Sequence, residues 1–86
     1  MPTFAMSSSG SCPEGYAAIE SRAACNQAAA DLKLSDTRAG KTRRDDRPYG
    51  CYFRSRSRAG KQLWFAPNGN PESRSATRLA VCVRDD

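Results

Sequence analysis

Apolar and polar positions alternate most clearly around Cys51. Tyr49, Cys51 and Phe53 share one face, with Gly50, Tyr52 and Arg54 on the other, so Arg47–Arg54 predicts a sheet strand with a cysteine at its centre. The other predicted elements are arranged around this strand. A second aromatic run, Gln62–Ala66, predicts its antiparallel hairpin partner, and Asn68-Gly69 with the flanking Pro67 and Pro71 predicts the turn that ends it. Leu79, Val81 and Val83 alternate with Ala80, Cys82 and Arg84, which predicts a final strand over Leu79–Arg84. Tyr16–Ile19, after the Pro/Gly turn that follows Cys12, reads as a short first strand.

The period changes after Ser21. Cys25, Ala28, Ala29 and Leu32 repeat at helical spacing and predict a helix over Arg22–Lys33, with Ser21 as its N-cap. Its stripe is mostly alanine, which lets the helix axis approach a sheet closely. Asn26, Gln27 and Asp31 lie on the opposite face and are expected to be wet. Ser35–Arg47 holds no apolar residue larger than Ala39 and reads as a long loop. Ser55–Gly60 reads as a polar turn, and Glu72–Arg78 as a polar connector. The expected fold class is α+β: an antiparallel sheet of three to four strands, one helix packed on a face, and two disulfides. Residues 1–11, with only Phe4 and Met6 to bury, are expected to be a flexible lead unless docked, ahead of a single domain over 12–86.

The small size makes the cysteines matter. A chain of 86 residues buries only about 60 to 65% of its unfolded surface, and a mean hydropathy of −0.73 promises a thin core. Cys12, Cys25, Cys51 and Cys82 are separated by 13, 26 and 31 positions, with no Cys-x-x-Cys pair and no histidine. That spacing disfavours a zinc site and favours two disulfides, hence an oxidising compartment. Four cysteines allow three pairings. Cys25 on the helix stripe and Cys51 between Tyr49 and Phe53 make a natural helix-to-sheet bridge, which leaves Cys12 with Cys82. By loop entropy the two closures stabilise by roughly 3.5 and 4.5 kcal/mol. The disulfides make the expected setting extracellular or an organelle lumen, for example the thylakoid lumen; because the first residues lack the basic and apolar regions of a signal peptide, a leader is expected to have been removed already.

Cys12-Pro-Glu-Gly-Tyr16, Ala23-Ala-Cys-Asn-Gln-Ala-Ala29, Arg47-Pro-Tyr-Gly-Cys-Tyr52, Leu63-Trp-Phe-Ala-Pro-Asn-Gly-Asn70 and Val81-Cys-Val83 together carry a resemblance. The pattern is similar to a small cysteine-paired module that recurs in predicted secreted or lumenal proteins of dinoflagellate algae. The resemblance spans roughly Cys12–Val83 and implies a non-enzymatic module. The basic loop and the N-terminus depart from that pattern.

Charge then singles out one region. Residues 38–61 carry nine basic side chains against Asp45 and Asp46, a net of +7, whereas residues 1–37 sum to −2 and residues 62–86 to zero. Arg43, Arg44, Arg47, Arg56 and Arg58 are the candidate binding residues of this basic region, and Tyr52 and Trp64 are aromatic candidates for stacking. The plainer reading of the same residues is solvated charge on loops and ordinary aromatic packing, with Trp64 under the N-terminal segment. Trp64 and Phe65 sit on opposite strand faces, so one belongs to the core. Gly40-Lys41-Thr42 resembles the end of a phosphate-binding loop, but Ser35 stands where its first glycine belongs.

With no histidine and no paired carboxylates, the chain offers no general base, and the expectation is no enzyme, no cofactor and no metal. The sequence does not state a function. It supports a structural or protein-interaction module, with a larger protein or complex as partner, as for an accessory subunit. The alternative is a module that binds carbohydrate or polyanion. An acidic surface or polyanionic glycan also fits the charge; nucleic acid fits the disulfides least. No stretch is apolar enough to span a membrane.

Overall fold

A computed structural model describes residues 3–8, 11–58, 60–70, 72 and 77–84. In chain order they form β1 (Thr3–Ser7), β2 (Ala17–Ala18), α1 (Arg22–Asp31), β3 (Gly40–Lys41), β4 (Gly50–Arg54), β5 (Leu63–Ala66) and β6 (Arg78–Arg84). The strands make one sheet in the order β1-β6-β4-β5-β3, with β2 also paired to β6. The α+β class, the single helix and the two disulfides agree with the sequence reading. The sheet itself is larger than expected, six strands rather than three or four, and it is mixed, because β3 runs parallel to β5.

The aromatic strand β4 holds the middle of this order, but β6 is the strand with the most partners. Its seven residues pair with β1, β2 and β4. Cys82 and Val83 pair with both β1 and β2, so β2 occupies the edge that β4 uses at Leu79–Val81. Residues 3–7, expected to be mobile unless docked, are docked here, with Phe4 opposite Val83 and Met6 opposite Val81. Phe4 packs against the core, which gives this segment an apolar anchor as well as its ladder.

Hairpin register sorts the side chains into two faces. Cys51 stands between Phe65 and Val81, and Phe53 between Leu63 and Leu79. Alternation puts all six toward α1, where Cys25, Ala28 and Ala29 are fully buried. Ile19 and Ala39 complete the cluster. The Cys25–Cys51 disulfide ties the helix to this face across a Cα separation of 5.4 Å, and Cys12–Cys82, at 5.7 Å, anchors the opposite face of β6. Both pairings are those the face argument chose.

The helix begins as predicted, with the Ser21 hydroxyl accepting from Ala24 N at 3.1 Å. It ends two residues short of Lys33. Lys33 has φ 58°, its N–H donates to Ala30 O and that of Leu34 donates to Ala29 O. This is the left-handed C-terminal closure usually made by glycine, and lysine in that place left no mark in the sequence.

Ser35–Arg47 is shorter on irregular structure than its composition implied. The Asp36 carboxylate is buried and accepts N–H bonds from Arg38, Gln62 and Leu63 at 2.9 to 3.0 Å. From the helix, the Asn26 side chain accepts from Ala39 N at 2.7 Å, and the Arg22 guanidinium donates twice to Ala39 O. Asn26 is therefore half-buried rather than wet. These clamps hold Gly40–Lys41 against β5, where Thr42 N donates to Phe65 O at 3.0 Å. Residue 71 of the predicted turn and residues 73–76 of the predicted connector lie outside the described residues.

Candidate anion-binding site

The face turned away from α1 carries the basic and aromatic candidates. Tyr52 pairs with Trp64 on one side and Ala80 on the other, and Arg54 pairs directly with Arg78. Directly opposed like charges destabilise a sheet. Tyr52 forms the floor, at 4% exposure, while Trp64 is a half-exposed wall.

Trp64 is held in place from two sides. Its indole Nε1 donates to Lys61 O at 2.9 Å, which leaves the ring face to the site. Beneath the ring lies Gly40, where a Cβ would come within 2.8 Å of the indole. Glycine is required there for close approach. Trp64 therefore lies over β3, not under the N-terminal segment, and Phe65 is its buried counterpart on the core face.

The link between β3 and β4 brings two further guanidiniums. Arg44 makes a forked pair with Asp46, with both N–O distances 2.9 Å, and Arg47 reaches the same carboxylate at 3.5 Å. The Arg47 side chain is 20% exposed against 58% for Arg44, so it sits inside the rim. The hydrogen bond from Arg44 holds the Asp46 carboxyl down at about 2, and the same bond raises Arg44.

These side chains enclose a hollow of about 160 Å³. Arg44, Arg47, Arg54 and Arg78 line it with Tyr52 and Trp64; the Thr42 and Ser57 hydroxyls complete it. Burial pushes the Tyr52 phenol up, against the pull of Arg47, Arg78 and Arg44. Burial also lowers Arg78, and the charges of Arg47 and Arg54 push it the same way. Arg54 Nη1 reaches Ser57 Oγ at 3.5 Å, while its Nε is buried with no hydrogen-bond partner among the described residues. The lining contains guanidiniums, hydroxyls and rings, with no carboxylate, thiol or imidazole. Such a set of described side chains can hold an anion through its guanidinium and hydroxyl donors.

Of the residues singled out in the sequence, Arg44, Arg47, Tyr52 and Trp64 come together in the hollow. Arg43, Arg56 and Arg58 are exposed and do not line it. Arg54 and Arg78 were not singled out as binding residues. Alternation put Arg54 on the Tyr52 face, but only the register of β4 with β6 reveals Arg78 beside it. Compared with known proteins, the chain matches no family model, no curated protein and no solved structure.

Proposed function

We propose that this protein is a non-enzymatic binding module that receives an anionic group of a larger partner in the arginine hollow. The observation that carries the reading is the convergence of four guanidiniums from three parts of the chain on one sheet face, with Arg54 Nε buried and unpartnered. Among the described residues, Asp46 is paired with two of these four arginines, Arg44 and Arg47. A bound oxyanion would accept charge-assisted hydrogen bonds from the guanidiniums that line the hollow.

The two disulfides suggest an oxidising, non-cytosolic setting. Within that setting we assign the module to the extracellular space or an organelle lumen, with the thylakoid lumen as one instance. No helix among the described residues is long and apolar enough to cross a membrane.

Retention on an anionic resin as salt is raised tests the assignment. Arg54→Gln with Arg78→Gln should elute at clearly lower salt than Arg43→Gln with Arg56→Gln, although each pair removes two charges. Equal losses would mean that diffuse basic charge does the binding, and the hollow would drop out of the account.

A further inference from the structure

We infer that the Cys12–Cys82 disulfide is a redox latch: a dithiol opens it while Cys25–Cys51 stays closed, and its opening loosens the N-terminal strands from β6. Thiol–disulfide exchange needs a thiolate to reach a sulfur, and the two bridges differ in that access. Cys25 and Cys51 are both fully buried, inside the core cluster with Ala28, Ala29, Phe65 and Val81. Cys82 is fully buried as well, but Cys12 is only half-buried, and Ser11, Pro13, Glu14 and Gly15 around it are exposed. Of the four bridged cysteines, Cys12 is the one that a thiolate can approach.

The exchange balances with a dithiol as reductant. Its thiolate attacks Cys12 Sγ and the Cys12–Cys82 bond breaks, with the electron pair leaving on Cys82 Sγ, which takes up a proton. The second thiol of the reagent then attacks the mixed disulfide at its own first sulfur and releases the Cys12 thiol. The reagent ends as a disulfide, and the cysteine pair has gained two electrons and two protons.

Topology decides what the latch holds. Ala5 of β1 and Ala18 of β2 are both register partners of Cys82, so β1 and β2 lie on opposite edges of β6. The chain between them crosses from one edge to the other. Cys12 lies midway along that crossing and is bonded to Cys82 on the face turned away from α1. A second tie is the Arg84 guanidinium, 5.4 Å from the centre of the Tyr16 ring. β2 itself is only two residues long. Opening the bridge therefore leaves the crossing with a short ladder and one ring contact, whereas α1 and the β4–β5 hairpin keep the Cys25–Cys51 bridge.

The intact oxidised protein is treated with dithiothreitol at mildly alkaline pH, and samples are quenched by alkylation and mapped by peptide mass spectrometry. A species alkylated at Cys12 and Cys82 alone should accumulate, because that pair opens at least about tenfold faster than Cys25–Cys51. In this species amide exchange in β1 and β2 should quicken by about tenfold or more, while α1, β4 and β5 keep their protection. The emission maximum of Trp64, the one tryptophan of the chain, should not move.

Opening of both bridges together, or of Cys25–Cys51 first, would overturn the inference. Unchanged exchange in β1 and β2 would also overturn it, since the bond would then be accessible without latching anything. Loss of protection in α1 as well would show global unfolding in place of a local release. All three readouts use the unaltered sequence, so none depends on whether a cysteine variant folds.

Discussion

A carboxylate kept from water responds to acid with a definite sign, and Asp36 provides such a case. Burial alone would raise its pKa, but the backbone N–H groups of Leu63, Arg38 and Gln62 together hold it below the ordinary value. The stabilisation is therefore fully present above about pH 4, and it is lost as pH falls through the depressed folded value. Asp36→Ala should lower stability by roughly 1–3 kcal/mol for each buried donor it orphans. Urea midpoints at pH 7 and at pH 3 check this: the gap between wild type and variant should narrow in acid. A gap of constant width would mean that Asp36 does not carry the acid sensitivity. Gly40 allows a second test at this scale. Gly40→Ala would drive a Cβ into the Trp64 ring, at a cost of about 1–3 kcal/mol. The variant should melt earlier and show a shifted tryptophan emission maximum.

At the scale of elements, the closure of α1 yields a stabilising prediction. Lys33 stands in a left-handed conformation that glycine adopts without strain. Lys33→Gly should raise stability by about 1 kcal/mol, read as a higher urea midpoint at unchanged slope; a lower midpoint would contradict that reading of the helix end. The same element shows what a sequence can and cannot disclose. Ser21, the Cys25/Ala28/Ala29 stripe and the alternation around Cys51 were legible because each follows a local period. The pairing of Cys25 with Cys51 followed from those faces. β3 was not legible, because Gly40 and Lys41 have no apolar period of their own; bonds from Asn26, Arg22 and Asp36 define their surroundings, and Thr42 bonds to β5 beside them. The place of β1 was likewise hidden, since pairing of Thr3–Ser7 with a strand more than seventy residues later leaves no trace in local composition. For the candidate site, four lining residues were readable as charge and aromaticity, whereas Arg54 beside Arg78 depends on cross-strand register.

The sheet has a face buried under α1 and a face that carries the arginine-lined hollow, and each is braced by its own disulfide. Cys25–Cys51 holds the thin alanine-rich layer of α1 on the sheet, and Cys12–Cys82 ties the N-terminal turn to β6 on the other side. Loop closure over 70 positions stabilises by up to about 4.5 kcal/mol, a large share of the roughly 5–15 kcal/mol available to a small domain. Cys12→Ser with Cys82→Ser should therefore lower the melting temperature sharply; a transition unmoved from that of wild type would show that the sheet holds without this link. The face opposite α1 gathers four guanidiniums around Tyr52 and Trp64. The most direct measurement is an NMR titration of the arginine Nε–H resonances with inorganic sulfate at constant ionic strength. The Arg54 Nε–H signal should move most and reach saturation, while those of Arg43 and Arg56 stay nearly still. A uniform drift of all the arginine signals, or an unmoved Arg54, would contradict the existence of an anion site.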